Sequence, residues 1–246
     1  MKKFGVCELS VIPVRKSPVS KSEMVTQLLY GEIFTIINFE EKWSEICNTH
    51  DNYTGWINNT QIRFIERSTY NSLKKNKAIY SLDINGSVTN KKGIKFSIPM
   101  GSVVSSCLLL NTIFHGKKGI LTKSKIIKAA KLFLESPYLW GGRITSGIDC
   151  SGFSQLIYRI CGLEIDRDAR QQALQGKKID SSKINPGNLA FFGNSIKEIT
   201  HVGIMLNKNE IIHAFGKIRI DIVNNEGIIN LESKKLTHKT VQFRQY

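Results

Sequence analysis

The feature that most constrains this chain is one cysteine, Cys150, placed directly before an apolar pattern of helical period. Asp149-Cys150-Ser151-Gly152 follows a polar, glycine-containing approach, and apolar residues recur after it at helical spacing. The pattern predicts a helix that begins at Cys150 with Asp149 as its N-cap. Because free N–H groups and the positive dipole end meet there, we expect a depressed thiol pKa and a thiolate nucleophile. A buried, inert cysteine is the ordinary alternative.

Two histidines farther along the chain supply the partners that such a cysteine needs. Residues 200–206 and 210–214 read as strands joined by a short polar turn. An antiparallel pair of this kind can place His201 and His213 side by side. Cys150 would then lose its proton to His201, while His213 holds the His201 ring in its working tautomer. One solvated and one buried histidine is the alternative.

Hydrolysis of an acyl bond also needs donors to the oxyanion. The backbone N–H of Cys150, at a helix start, is the first candidate. The hydroxyl of Tyr138 is the second, because the Gly141-Gly142 turn can bring it back towards the nucleophile. A buried tyrosine whose hydroxyl is already satisfied is the alternative for Tyr138.

An ordered set of motifs resembles the NlpC/P60 family of papain-like cysteine peptidases over roughly residues 123–246. The motifs are Tyr138-Leu-Trp-Gly-Gly, Asp149-Cys150-Ser151-Gly152, Arg167-Asp168-Ala169, Gln171-Gln172, Pro186-Gly187-Asn188-Leu189, His201-Val-Gly-Ile and His213-Ala. The resemblance implies a catalytic triad of Cys150, His201 and His213. Asn188 stands where the family usually carries Asp, and an Asn can make the same turn hydrogen bond.

The N-terminal part resembles a bacterial SH3 domain, through strand-sized runs with Gly turns and the order Pro-Val-Arg, Leu-Tyr-Gly-Glu, Trp and Tyr-x-Gly-Trp-Ile. SH3 barrels followed by such a peptidase are similar to the γ-D-glutamyl-L-diamino-acid endopeptidases, also called dipeptidyl-peptidase VI. These enzymes cleave the γ-D-Glu–diamino-acid bond of peptidoglycan stem peptides that have a free N-terminal L-Ala. The resemblance assigns substrate-binding roles to several residues. They are Asp149 and Ser151 at the free amine, Tyr138 and Trp140 on the substrate side, and Glu23 and Tyr53 from the first barrel, with Glu32 as a rival to Glu23.

We therefore predict an α+β fold, a papain-like NlpC/P60 catalytic domain preceded by one or two small SH3-like β-barrels. The predicted domains are residues 1–65, a bacterial SH3 domain, residues 66–122, a second and diverged SH3-like domain, and residues 123–246, the peptidase. Within the peptidase, residues 124–134 predict an amphipathic helix opened by a Ser124 cap.

The charge of the chain is uneven along its length. Residues 1–65 carry seven Lys/Arg against seven Asp/Glu, whereas residues 66–122 carry nine against two and residues 123–246 nineteen against eleven. A basic field favours acidic partners, and peptidoglycan-derived peptides carry several carboxylates. No nucleic-acid-binding motif is present, so we expect no nucleic-acid partner. A solvated lysine-rich face is the alternative explanation.

The remaining expectations concern compartment, cofactors and assembly. The first residues contain no continuous apolar run, so we expect a cytoplasmic protein, or a periplasmic or secreted one if a leader has been removed. No membrane span is predicted. The five cysteines lack metal-ligand spacing and fit free thiols, so we expect no metal and no organic cofactor. We expect a monomer.

Two other functions stay open at this point. An exported wall lysin that acts on intact peptidoglycan would need a leader and an open cleft. A wall-binding SH3 protein with vestigial catalysis should have lost Cys150, His201 or His213, all of which are present.

Overall fold

Short strands are the main regular secondary structure of the chain, and the computed structural model describes residues 3–246. They fall into two compact units, Met1–Ile120 and Leu121–Tyr246. Residues 1 and 2, which the predicted first domain and the reading of the N-terminus included, lie outside the described residues.

The first unit begins with a seven-stranded antiparallel sheet. Its strands are β1 (Lys3–Val6), β2 (Val11–Arg15), β3 (Met24–Leu29), β4 (Ile33–Phe39), β5 (Trp43–Asn48), β6 (Thr54–Asn58) and β7 (Arg63–Ile65). Their order in the sheet is β3-β2-β6-β5-β4-β1-β7. Alternate side chains point inward, so the sheet wraps as a small barrel around one apolar core. That core is Cys7, Ile12, Val14, Leu28, Phe34, Ile36, Ile46 and Ile57.

Residues 28–37 read in the sequence as one strand-sized run, but the structure has a turn at Gly31. Gly31 has φ +80°, and a Cβ there would lie 2.1 Å from the carbonyl oxygen of Val103. Only glycine fits this conformation and this close approach, so β3 ends at Leu29 and β4 begins at Ile33.

Residues 66–120 continue the first unit and share a core with the barrel. Their elements are α1 (Arg67–Lys75), β8 (Tyr80–Ser81), β9 (Asn85–Thr89), β10 (Lys95–Pro99), α2 (Cys107–Leu110), β11 (Ile113–His115) and β12 (Lys118–Gly119). Val6 and Tyr30 of the barrel pack with Val88, Ile98 and Val104 in one apolar cluster. The sequence indicated strands only, and α1 was not predicted because Tyr70 is its one buried residue. The assignment of this segment as a second SH3-like domain stays a prediction.

The second unit packs helices against an antiparallel sheet. Its elements are α3 (Ile126–Lys131), β13 (Arg143–Ile144), β14 (Gly147–Ile148), α4 (Cys150–Ile160), α5 (Ala169–Gln172), β15 (Lys177–Ile179), β16 (Leu189–Gly193), β17 (Ile199–Met205), β18 (Glu210–Phe215), β19 (Lys217–Val223), β20 (Gly227–Ile229) and β21 (Leu236–Gln245). The large sheet has the order β15-β21-β16-β17-β18-β19-β20, and β21 also pairs with β20. That extra pairing closes the sheet into a ring.

Strand pairing places polar side chains on the inner face of this ring. His201 pairs with Phe192, Asp221 with Ile211 and His238 with Ile228. Phe192, Ile211 and Ile228 belong to the apolar core of the ring, and directly paired residues share a face. The ring therefore has an apolar interior with a polar region that contains the histidines.

The helix predicted over residues 124–134 is shorter in the structure. The segment Lys123–Lys125 forms a 3₁₀ turn, and α3 covers only Ile126–Lys131. The predicted Ser124 cap is wrong, because the Ser124 hydroxyl bonds the Thr122 hydroxyl at 2.9 Å instead of a helix N–H. The predicted α+β class is confirmed.

Candidate active site

Cys150 is the first residue of α4, where the sequence placed it. Asp149 caps the helix, and its Oδ1 accepts the Gly152 N–H at 2.6 Å. The backbone N–H groups of Ser151 and Val202 are close enough to the Cys150 sulfur to lower the pKa of the thiol. Because Val202 follows His201 on β17, the thiol lies against the strand that carries this histidine. Cys150 is buried, with 6% of its surface exposed.

The structure brings the predicted histidines together on neighbouring strands. His201 Nε2 lies 2.8 Å from His213 Nδ1, and both residues are buried. Gly203 pairs directly with His213, and a Cβ at Gly203 would lie 2.8 Å from the His213 Cβ. The glycine of the His201-Val-Gly sequence therefore leaves room for the second histidine. Cys150 lies near Val202, the neighbour of His201, and His201 contacts His213. Their roles as nucleophile, base and orienter stay a prediction.

Asp149 is also one half of a buried ion pair. Arg167 Nη1 donates to Asp149 Oδ1 at 3.0 Å and Nη2 donates to Oδ2 at 2.6 Å, while the Gly141 N–H reaches Oδ2 at 2.8 Å. Arg167 Nη1 also donates to the Ser151 hydroxyl at 2.9 Å. An unpaired charge in this place would cost several kcal/mol, so Arg167 is needed as the counter-ion. The sequence marked Arg167 only as part of the Arg167-Asp168-Ala169 motif.

Tyr138 and Trp140 lie on the segment before the nucleophile. Tyr138 is half-buried, its N–H donates to the Gly216 carbonyl at 2.9 Å, and it forms a parallel bridge with Ile148. Burial and the nearby Cys150 and Asp149 raise the pKa of Tyr138 to about 12. Its hydroxyl is therefore a donor at neutral pH, as the predicted oxyanion role requires. Trp140 is 59% exposed, so its ring offers apolar surface beside the site.

Two family models match the chain in the regions that carry these features. Residues 135–241 match the NlpC/P60 family, and residues 14–62 match the bacterial dipeptidyl-peptidase SH3 domain. Residues 135–241 therefore form an NlpC/P60 domain, and a bacterial SH3 domain precedes it in the chain. The resemblance inferred from the motifs is confirmed for both regions, and the family is one of cysteine peptidases.

Relatives of the whole arrangement are known in Bacillus. The chain is 25% identical to the γ-D-glutamyl-L-lysine dipeptidyl-peptidase of Bacillus cereus over 225 residues, covering 78% of this chain and 68% of that protein. The enzyme of the same name from Bacillus subtilis is also 25% identical, covering 77% of this chain and 71% of that protein. The crystal structure of an NlpC/P60 family protein from Bacillus cereus superposes with a TM-score of 0.79 over 99% of both chains. Its 17% identity makes this a likeness of fold.

The electrostatics of the NlpC/P60 site differ from the sequence-based expectation. Burial is the largest cause that raises the pKa of the Cys150 thiol to about 12, and the charge of Asp149 raises it further. The N–H groups of Val202 and Ser151 and the charge of Arg167 lower it, but by less. Burial also holds the His201 pKa well below its usual value, and His213 and His238 lower it further. The expected depressed thiol pKa is therefore wrong, because burial outweighs the helix terminus. Both shifts favour the neutral form, the thiol of Cys150 and the imidazole of His201.

Two residues of the NlpC/P60 site were missed in the sequence. Asp221 Oδ2 lies 3.1 Å from His213 Nε2. The His238 ring stacks on His201 with centroids 4.1 Å apart and an angle of 26° between the ring planes. Asp221 could have been found, because β19 follows β18 directly and a residue diagonal to His213 is within reach of it. His238 comes from β21, a distant strand in sequence, and no local pattern marks it.

The SH3 region contains the other predicted substrate-binding residues. Glu23 is exposed and its carboxylate lies 3.4 Å from Lys16 Nζ, while Tyr53 is half-buried after a turn in which its N–H donates to Asp51. Glu32 is 2% exposed and accepts the Leu29 N–H at 2.9 Å, so it stabilises the turn at Gly31. Exposure favours Glu23 over Glu32 as a ligand for an amine. Contact of Glu23 and Tyr53 with substrate stays a prediction.

Asn188 Oδ1 accepts the Asn185 N–H at 2.7 Å and so closes its turn. Across residues 3–246, no helix has the length and apolar character needed to cross a membrane, and no group of His, Cys, Asp and Glu side chains is arranged to hold a metal ion. The five cysteines are free thiols.

Proposed function

We propose that this protein hydrolyses the bond between γ-D-Glu and the diamino acid of peptidoglycan stem peptides that have a free N-terminal L-Ala. The observation that carries the proposal is the joint match to two γ-D-glutamyl-L-lysine dipeptidyl-peptidases, which spans about three quarters of the chain. The site supports it, because Cys150 begins α4 and His201 lies 2.8 Å from His213, as a base and its orienter would.

The chemistry follows from which groups can hold the proton. As the Cys150 sulfur attacks the γ-carbonyl carbon, His201 takes the thiol proton, so no free thiolate has to exist in the buried site. The negative charge that forms on the carbonyl oxygen meets the N–H of Cys150 and the Tyr138 hydroxyl. His201 then returns the proton to the leaving amine, which leaves a thioester on Cys150. Water attacks the thioester with His201 again as the base, and the dipeptide leaves.

Recognition of the free amine is the specific part of the proposal. The polar groups proposed to meet the amine are the hydroxyls of Ser151 and Tyr138 and the carboxylate of Asp149. Asp149 already accepts two hydrogen bonds from Arg167. The ammonium therefore shares Asp149 with Arg167 and takes further acceptors from the Ser151 and Tyr138 hydroxyls. Glu23 of the SH3 domain is proposed as a second carboxylate for the same charge.

A pair of peptides tests the proposal directly. L-Ala-γ-D-Glu-L-Lys and its N-acetylated form are incubated with the enzyme, and the products are quantified by mass spectrometry. Because acetylation removes the charge and leaves polar groups of the site unpaired, we expect kcat/KM to fall by roughly 10⁴-fold. The diaminopimelate peptide, assayed in parallel, establishes the preferred third residue.

The control is Cys150→Ala, which should abolish hydrolysis of both peptides while it leaves the fold unchanged, because Ala is tolerated at a helix start. Comparable rates on the free and the acetylated peptide would contradict the dipeptidyl-peptidase specificity. Cleavage of intact peptidoglycan at a similar rate would favour the wall-lysin alternative.

A further inference from the structure

The hydrogen bonds behind the catalytic histidine do not end at His213. Asp221 is fully buried on β19, and its Oδ2 lies 3.1 Å from His213 Nε2. Its Oδ1 accepts the Leu231 N–H at 2.8 Å and Arg219 Nη2 at 3.3 Å. Oδ2 also lies 2.8 Å from Arg219 Nε and 3.4 Å from Asn230 Nδ2. Every one of these neighbours can donate, so Asp221 acts only as an acceptor.

An obligate acceptor in this position determines where the hydrogens lie on both rings. His213 donates to Asp221 from Nε2, so in its neutral form the His213 Nδ1 is an acceptor. His201 must then carry its hydrogen on Nε2, which lies 2.8 Å from that acceptor. The Nδ1 of His201 keeps the lone pair that can take the Cys150 proton.

These hydrogen positions on His201 and His213 hold only while His213 is neutral, and the charge of Arg219 helps to keep it neutral. Burial lowers the pKa of His213, and the charge of Arg219 lowers it further. The hydrogen bond and charge of Asp221 raise it, but the net pKa is lowered. Burial raises the pKa of Asp221, but hydrogen bonds from His213, Leu231 and Arg219 outweigh this, and the net pKa is lowered. Because Arg219 is the counter-ion of Asp221, the carboxylate stays ionised without a charge on His213. A doubly protonated His213 would donate to His201 Nε2 and force the hydrogen onto Nδ1.

We propose that the buried Asp221–Arg219 pair is a positioning unit that sets the tautomer of His201 and so makes Nδ1 the catalytic base. This inference deepens the proposed function and rests on it for its kinetic consequence. The tautomer itself can be measured without a substrate, so the two proposals can fail separately.

Asp221→Asn is the sharpest variant, because the structure fixes how the new amide must lie. The amide oxygen keeps the Leu231 N–H, because that backbone group cannot turn away, whereas the Arg219 and Asn230 side chains can. The NH₂ group therefore faces His213 Nε2. His213 must then accept at Nε2 and donate from Nδ1, which places the hydrogen of His201 on Nδ1. We expect kcat/KM to fall by roughly 10³- to 10⁴-fold, as wrong-tautomer variants of hydrolytic triads do.

The deciding measurement is nitrogen-15 NMR of the full-length, histidine-labelled enzyme at pH 7. The parent should show the hydrogen of both His201 and His213 on Nε2, and Asp221→Asn should show both on Nδ1. Glu226→Gln is the matched control, since it also replaces a carboxylate by an amide, on the exposed turn between β19 and β20. It should alter neither the tautomers nor the rate. Assignments follow from the loss of single signals in His201 and His213 variants.

A second variant reads out the charge of Arg219. Arg219→Gln should raise the pKa of His213 and shift the acid limb of the kcat/KM profile to higher pH. The titratable and charged groups facing His213 are His201, His238, Asp221 and Arg219, with Glu232 behind Arg219. The profile of the Glu226→Gln control should overlay that of the parent.

The proposal is overturned if the parent carries the His201 hydrogen on Nδ1, or if Asp221→Asn leaves the tautomer unchanged. It is also overturned if that variant keeps more than a tenth of the parental kcat/KM. If Asp221→Asn does not fold, the parent spectrum alone decides the tautomer. If the parent cleaves none of the stem peptides, the substrate assignment fails while the spectrum still decides this inference.

Discussion

Three imidazole rings meet in one corner of the catalytic domain, and each stays neutral for the same physical reason. Burial is the largest cause that lowers the pKa of His201, His213 and His238, the last to about 4. His238 stacks on His201 and meets His213 edge to face. A proton on any ring would repel a charge on the other two, so the base works at neutral pH only because its neighbours are uncharged.

We expect the free energy of unfolding to fall as the pH is lowered through 6.5. Below that pH the unfolded chain binds protons on these histidines while the folded chain does not, so stability is lost with acid. Each histidine contributes a slope of about 1.4 kcal/mol per pH unit over that range. For His238 the loss continues to about pH 4, where the folded form is protonated. Urea denaturation at pH 8, 7, 6 and 5 measures the slope.

The variant His238→Phe removes the contribution of one histidine to this pH dependence of stability. Phenylalanine preserves a ring against His201 and removes the titrating nitrogens, so the acid slope should fall by about one histidine's share. An unchanged slope in His238→Phe, or a stability that does not vary with pH, would contradict the account.

At the scale of the element, the start of α4 is the most constrained part of the fold. Gly152 is a helical residue whose added Cβ would lie 2.5 Å from the Gly142 carbonyl oxygen and 3.0 Å from Asp149 Oδ1. The approach segment and the cap therefore lie directly against the first turn of the helix, and they locate the nucleophile.

Gly152→Ala should destabilise the protein, although the same change in an exposed helix stabilises by up to about 1 kcal/mol. The clash is with backbone, so the helix start must shift, at a cost of roughly 1–3 kcal/mol. Chemical denaturation gives the stability, and kcat/KM should drop with it because Cys150 moves. Ser72→Ala in the exposed part of α1 is the helical control and should be neutral or slightly stabilising. A Gly152→Ala protein as stable and active as the parent would refute the close approach.

Local patterns predicted the elements that carry the nucleophile and the histidines. The start of α4 follows from capping, and the strands β17 and β18 follow from alternation. The helix ends at Ile160, shortly before the left-handed Gly162 at φ +77°. The turn at Gly31 was not predicted, because its cause is a contact with Val103 far along the chain. The thiol pKa was wrong for the same kind of reason, since burial depends on tertiary packing. Asp221 and His238 join the site through strand pairing and closure of the sheet.

At the scale of the whole molecule, the shared core in the first unit decides where the chain can be cut. Val6 and Tyr30 pack against residues of the 66–120 segment, and the Tyr30 hydroxyl bonds Thr112 at 2.5 Å. A cut after residue 65 divides this core, whereas a cut after residue 120 falls between the compact units.

We expect the fragment 121–246 to be soluble and monodisperse, and the fragment 66–246 to aggregate through exposed Val88, Ile98 and Val104. Size-exclusion chromatography of the two fragments, with the full chain as control, measures this. Equal monodispersity of both fragments would contradict a shared core. Contact of the SH3 domain with substrate is therefore better tested by Glu23→Gln and Tyr53→Phe than by truncation.

Closure of the catalytic sheet by β21 has a consequence for how the protein is made. Translation produces Cys150, His201 and His213 before it reaches Leu236, where the closing strand begins. A nascent or prematurely terminated chain that stops short of β21 has a complete triad, but its strands β16 and β20 present open edges that pair readily with other chains. The ring of strands can therefore close only after a strand that carries none of Cys150, His201 and His213 has left the ribosome.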